Sequence, residues 1–271
     1  MKHFFSKRNI ILSIVALVII AAGGYYLYAR SYSMMPESAF GLLTSVHEPT
    51  PTDRVLVFTP HFDDETIAAA GYIQRAEEKK SAVEIVAITN SNYRGIGADR
   101  KEEFLAVTKS LGVNSNQLKF LNLPDYYLKN RINSADLTGD LQNEIDSFKP
   151  TVVIYPDASD QNRDHKYIGQ TIDGILTNRT DLYAYSFIVH WRYFPQPVGL
   201  YPNKHMTPPV KLLDFSHNWQ KFDLTPAEEN QKQNSLEIYK SQLRTPLLHD
   251  LLVSMVRENE LFSEKLTPVI K

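Results

Sequence analysis

The sequence predicts an α/β fold: a mainly parallel sheet covered by helices on both faces, preceded by one N-terminal transmembrane helix. Short all-apolar runs recur along the chain, helical segments separate them, and the stretch from Asn9 to Ala29 carries no charge. An apolar run without alternation marks a strand buried on both faces, and strands alternating with helices form a parallel sheet.

As a helix, the uncharged stretch spans roughly 30 Å at about 1.5 Å per residue, enough to cross a bilayer core. Lys2, Lys7 and Arg8 precede it, and Arg30 alone follows closely. The positive-inside bias then makes residues 1–30 a single-pass anchor in the cell membrane, with the N-terminus cytoplasmic and the rest of the chain extracytoplasmic. Tyr25, Tyr26 and Tyr28 fall at the outer interface. A cleaved signal peptide, with small residues at Ala21, Ala22 and Gly23, is the competing reading, but the apolar run is longer than a signal core needs. Both readings export the domain.

Residues 31–53, with Pro36, Pro49 and Pro51, read as a juxtamembrane linker, and residues 54–271 as the domain. Val55–Phe58 is a buried strand and Thr66–Lys80 a helix with Ile67, Ala70 and Ile73 inward. Val83–Ile88 is a second strand. Arg100–Leu111 is a helix closed by Gly112, and Leu118–Leu121 is a third strand. Leu137–Phe148 is a helix, Val152–Tyr155 a buried strand and Ala184–Trp191 another strand. Tyr193–Pro209 is a Pro-rich loop, and Pro226–Leu243 and Leu247–Glu260 read as helices.

With 29 basic and 31 acidic residues the net charge is −2, so the chain lacks the polybasic surface that nucleic-acid binding by phosphate neutralisation requires. It has no cysteine, which removes thiolate ligands, disulfides and cysteine nucleophiles, so any zinc must be held by histidines and carboxylates.

Two clusters carry chemistry. The first strand ends in Thr59-Pro60-His61-Phe62-Asp63-Asp64-Glu65, and the strand ending at Tyr155 runs into Pro156-Asp157-Ala158-Ser159-Asp160-Gln161-Asn162-Arg163-Asp164-His165. Ligands of open parallel sheets bind beyond the carboxyl ends of strands, where two such loops converge. His61, one adjacent carboxylate and His165 supply the three protein ligands of a catalytic zinc, leaving the other carboxylate to act on water. Taken singly, each has a plainer role: His165 as a surface histidine, Asp63 or Asp64 as a helix cap favoured by the dipole. Capping accounts for one carboxylate and leaves the histidine and the second carboxylate unexplained.

These segments resemble the LmbE-like or PIG-L deacetylases, whose hallmarks are His-Pro-Asp-Asp-Glu after the first strand and a later His-x-Asp-His. The likeness extends to Arg100, Glu103, Ala106, Leu111 and Gly112, to Phe120–Asp125, and to Tyr239, Ser241, Gln242 and Asn259–Phe262. It implies a Rossmann-like fold and one zinc per chain on His61, Asp64 and His165, with Asp63 as general base. Arg100 and Asp125 match positions near the substrate. The activity implied is removal of the acetyl group from an N-acetylglucosamine-type sugar of a glycan, glycolipid or cell-wall precursor.

Two positions depart from the pattern. Phe62 stands where the family has proline, and Asn162 where it has a histidine that assists the oxyanion or the leaving amine. The Asn162 amide is the first candidate to replace that imidazole, as an oxyanion donor, and His190 the second. The same departure motivates a rival reading, a noncatalytic metal-containing carbohydrate-binding or scaffold protein. A metal-dependent hydrolase of another bond is a third, since fold does not fix function. Trp191, Tyr193, Phe194 and Tyr201 are candidates for a sugar subsite, with packing as their competing role.

Overall fold

The computed structural model describes residues 7–244 and 246–265. Lys2, part of the basic flank, and the chain end after Lys265 lie outside the described residues. Helix α1, Lys7–Arg30, buries none of its side chains, reaches a mean hydropathy of 2.4 over its most apolar 18 residues, and is long and apolar enough to cross a membrane.

The strands are β1 (Thr44–Ser45), β2 (Arg54–Thr59), β3 (Ala82–Thr89), β4 (Leu118–Leu123), β5 (Val152–Pro156), β6 (Tyr183–Phe187), β7 (Asn218–Asp223) and β8 (Asn259–Glu264). They form one sheet in the order β1-β7-β8-β6-β5-β2-β3-β4, in which only β8 runs antiparallel to its neighbours. The helices are α2 (Asp64–Glu78), α3 (Gly97–Ser110), α4 (Ser134–Phe148), α5 (Arg163–Ile175), α6 (Pro226–Leu236), α7 (Lys240–Leu243) and α8 (Pro246–Val253).

The all-apolar strands are explained by two cores. Val55 and Val57 of β2 join Ile67 and Ile73 of α2 and Phe104 of α3 on one face; Leu56 and Phe58 join Leu141 of α4 and Ile168 and Ile172 of α5 on the other. Alternate side chains of a strand point to opposite faces, so every position of β2 after Arg54 is apolar or satisfied internally. Because β2 pairs with both β3 and β5, the chain reverses winding direction between β2 and β5, which is where a ligand crevice opens. Gly169 lets α5 press onto the loop after β5: a Cβ there would stand 2.4 Å from the Pro156 carbonyl oxygen.

Four expectations are revised. The segment 31–53 packs on the domain: Met34 bridges Pro209, Met35, Phe40 and Val46 are buried, and Thr44–Ser45 pairs with β7. Strand β6 stops at Phe187, and Ile188–Trp191 turns across the strand ends, where Asp160 Oδ2 accepts from the Val189 and His190 backbone N–H groups. The helix expected over Pro226–Leu243 breaks between α6 and α7, because Tyr239 turns into the core to donate to Glu65 at 2.6 Å. The helix expected to run to Glu260 ends at Val253, and Asn259–Glu264 is a strand between β6 and β7.

Candidate metal centre and active site

The site is assembled where β2 and β5, neighbours in register with Val57 opposite Ile154, both end. Thr59 and Glu65 lock the turn after β2: Thr59 Oγ1 donates to the His61 carbonyl at 2.6 Å, and Glu65 accepts from Thr66 and Tyr239, each at 2.6 Å. Within this turn Asp63 adopts φ 139°, a region that disfavours a side chain, and such strain is held only where the surroundings over-determine it. Phe62 explains its own substitution. Its ring is buried 5.0 Å from Phe104, and its backbone N–H donates to Ser91 Oγ, a bond proline lacks.

Three donor atoms converge. His61 Nδ1 lies 3.3 Å from Asp64 Oδ2 and 3.2 Å from His165 Nε2, and His165 Nε2 lies 3.0 Å from Asp64 Oδ2. Ligands about 2.0–2.2 Å from a tetrahedral zinc stand roughly 3.3–3.6 Å apart, so this triangle fits the metal with slight expansion. The carboxylates around the triangle also favour positive charge at its centre. Burial opposes charge on His61, yet hydrogen bonds with Asp125, Asp164 and Asp64 raise its pKa well above the ordinary value. Burial likewise opposes charge on His165, but the Asp64 and Asp160 carboxylates lift it to about 9. All three residues are buried.

Each of the two rings has a carboxylate behind it, as metal-binding histidines usually do. His61 Nε2 faces Asp125 Oδ1 at 3.2 Å and Asp164 Oδ2 at 3.7 Å; His165 Nδ1 faces Asp160 Oδ2 at 3.4 Å. Asp164 is fixed by the Tyr126 and Leu128 backbone N–H groups, so it holds the Tyr126–Leu128 turn to the site. Sequence reasoning quoted Asp160 and Asp164 within their cluster without giving them roles; their spacing around His165 was the only signal.

Asp63 stands beside the triangle and makes no part of it. Burial pushes its carboxyl up, the Arg100 guanidinium pulls it back and Asp64 raises it again, leaving it at about 7. Arg100 Nη2 lies 3.1 Å from Asp63 Oδ1 and donates to the Phe62 carbonyl at 2.6 Å, so it orients this carboxylate as well as lining the cavity. A cavity of about 1000 Å³ opens over the site, lined by His61, Asp63, Asp64, Arg100, Asp125 and Asn162 among others.

Residues 56–175, which carry the three converging donor atoms and Asp63, match the family PIG-L, described as GlcNAc-PI de-N-acetylase. That segment resembles a PIG-L family domain. No curated protein matches the chain in sequence. Among solved structures, N,N'-diacetylchitobiose deacetylase from Pyrococcus horikoshii superposes with TM-score 0.60 at 17% identity, covering 83% of this chain and 91% of its own. Teicoplanin deacetylase Orf2 in its zinc-inhibited form gives 0.58 at 15% identity, covering 80% and 100%. The 4-carboxy-2-hydroxymuconate hydratase GalB from Pseudomonas putida gives 0.55 at 16%, covering 80% and 98%. Identities this low show a shared fold, and the hydratase among them illustrates that the fold hosts more than one reaction.

Of the other expected residues, Asn162, His190, Trp191, Tyr193 and Phe194 also reach the cavity. Asn162 caps α5: its Oδ1 accepts from the backbone N–H of Asp164 at 2.8 Å and of His165 at 3.4 Å, which commits the oxygen and leaves the Nδ2 hydrogens. His190 stands on the cavity wall with its ring centroid 4.7 Å from that of His165. Although its surface is open to the cavity, the surrounding protein and the adjacent His165 lower its pKa to about 4, which favours the neutral imidazole. Trp191, Tyr193 and Phe194 line the cavity, whereas Tyr201 is absent from its lining and lies 5.7 Å from the Arg257 guanidinium.

Proposed function

We propose that this chain is a metal-dependent amidohydrolase that removes the acetyl group from an N-acetylglucosamine-type sugar, with one zinc per chain on His61, Asp64 and His165. The observation that carries it is the buried triangle of donor atoms 3.0–3.3 Å apart with a second carboxyl, Asp63, adjacent and poised near neutrality. A zinc ion bound there supplies Lewis acidity, which acidifies water and polarises an acyl oxygen. Asp63, oriented by Arg100, accepts the proton of the attacking water and then delivers it to the amine nitrogen as the carbon–nitrogen bond breaks. The water oxygen ends in acetate, and the sugar leaves as a free amine. The test is acetate release by the full chain, measured with and without chelator, over a panel of acetamido sugars.

The panel includes sugars bearing phosphate or carboxylate. Arg94, Arg163 and Arg192 line the cavity with no ion-pair partner among the described residues, which favours an anionic group on the substrate. Trp191, another cavity residue, has its Nε1 buried without a hydrogen-bond partner among the described residues.

Asn162 Nδ2 is the donor assigned to the developing oxyanion, and His190 is the alternative. Asn162→Ser keeps an oxygen able to cap α5 while withdrawing the amide, so turnover should fall by about 10²–10³ with metal content unchanged. His190→Ala should be mild. A large loss in His190→Ala beside a near-silent Asn162→Ser would transfer the role to His190.

We further read α1 as an uncleaved span with the catalytic domain extracytoplasmic, on the strength of its length, its apolar surface and its basic N-terminal flank. A cell-surface glycan, lipid-linked saccharide or cell-wall precursor is then within reach. Protease added to intact spheroplasts should remove the domain; protection until lysis would reverse the orientation.

A further inference from the structure

We propose that two loops beside the exit of α1, residues 193–201 and 209–217, set apolar side chains into the surface of the bilayer that α1 crosses. The domain then lies on the membrane in a fixed orientation. The inference rests on the reading of α1 as an uncleaved span, and the experiment below separates the two.

Both loops start on the end of α1. Tyr193 Oη lies 3.2 Å from Tyr25 Oη, and the Arg192 guanidinium stands 5.5 Å from the Tyr28 ring. Val210 donates its backbone N–H to Ser33, just past the last residue of α1, and Lys211 Nζ sits 3.7 Å from the Tyr32 ring. Tyrosines with Lys and Arg at the end of an apolar helix are the usual furniture of a membrane interface. From Val210, Phe215 is at most roughly 18 Å away along an extended chain.

Both loops then turn apolar residues outward. Val198, Leu200 and Tyr201 are exposed on the first; Leu213 is exposed on the second, and Phe215 buries none of its surface. A single exposed apolar residue needs no explanation. Here, however, each loop is braced to keep its apolar residues out. Fully buried Arg257 donates to the Tyr201 carbonyl at 3.0 Å and the Pro197 carbonyl at 2.7 Å. Asp214 accepts from the Ser216 backbone N–H at 2.9 Å and pairs at 2.8 Å with His217, whose ring stacks on Trp219. His217 Nε2 faces Asp157, which ties the crest of the loop to the end of β5. Loop tips in water are ordinarily polar and mobile, whereas a braced apolar crest has its ordering cost met before it enters lipid.

The chain has no cysteine, so single-cysteine variants of the full protein take one label each. Phe215→Cys, Leu200→Cys, Ile19→Cys in α1 and Asn143→Cys on the exposed face of α4 are labelled with an environment-sensitive fluorophore. They are reconstituted in phosphatidylcholine–phosphatidylglycerol vesicles and challenged with brominated lipid or aqueous iodide. Labels at 215 and 200 should be blue-shifted and quenched several-fold more by brominated lipid than by iodide, with 143 showing the reverse. A lipid-quenched label at 19 beside iodide-quenched labels at 215 and 200 overturns the proposal while leaving the span intact. Lipid quenching at 215 and 200 with an aqueous label at 19 removes the span and keeps the loop contact; aqueous labels at all three overturn both. Cross-linking between two copies through position 215 without lipid quenching assigns the loop to a second copy and also overturns it.

Discussion

Asp63→Asn is expected to keep its metal and lose on the order of 10²–10⁴ in turnover, because the amide cannot accept a proton while occupying the same space. The carboxyl makes no part of the donor triangle, and its nearest charged partner is Arg100 at 3.1 Å. A matching signature belongs in the pH profile. A general base works deprotonated, so kcat/KM should rise with pH through the Asp63 ionisation and fall below it. Burial sets that ionisation at about 7, and a cation seated on the neighbouring triangle lowers it, so the acid limb should lie between the ordinary carboxylate range and about 7. The limb should vanish in Asp63→Asn. Loss of metal in that variant would make Asp63 a ligand, and unchanged turnover would remove it from the mechanism.

His61→Ala, Asp64→Ala and His165→Ala are expected to take zinc from about one per chain to nearly none, since two remaining ligands do not hold a catalytic zinc. Turnover should fall on the order of 10³ or more, the loss that follows when several kcal/mol of charge stabilisation disappear. The carboxylates behind the rings give a graded comparison. Asp125→Asn and Asp160→Asn leave the triangle intact and remove what orients it, so metal affinity should weaken by about 10–100-fold. Metal content unchanged from wild type in all three alanine variants would place the metal elsewhere.

The sheet centre and the site were readable because local composition reported them directly. Strands β2, β3 and β5 are largely buried on both faces, so each spells a mostly apolar run, and the candidate site residues sit in the turns that follow β2 and β5. The C-terminal third hid its structure for a physical reason. Strand β8 lies between β6 and β7 and is fully inside, yet it contains Asn259, Glu260 and Ser263, all buried. Glu260 accepts from the Gly71 and Tyr72 backbone N–H groups and pairs with buried Lys232 at 2.9 Å. A strand whose polar residues are satisfied by partners distant in sequence shows no apolar run, and the preceding Leu251–Val256 mimics a helical face. Asp160 was legible as a residue and not as a role, because only the fold turns it toward His165 Nδ1.

Metal-dependent acetate release tests the central claim most directly. The full chain, loaded with zinc and offered the panel of neutral and anionic acetamido sugars, should release acetate and free amine in equal amounts from at least one of them. Chelation should abolish the reaction, zinc should restore it, and Asp63→Asn should remain nearly inactive with its zinc in place. Stoichiometric zinc with no acetate from any sugar, followed by a gain of release in Asn162→His, would contradict the account and leave a carbohydrate-binding protein that has kept the metal site and lost turnover.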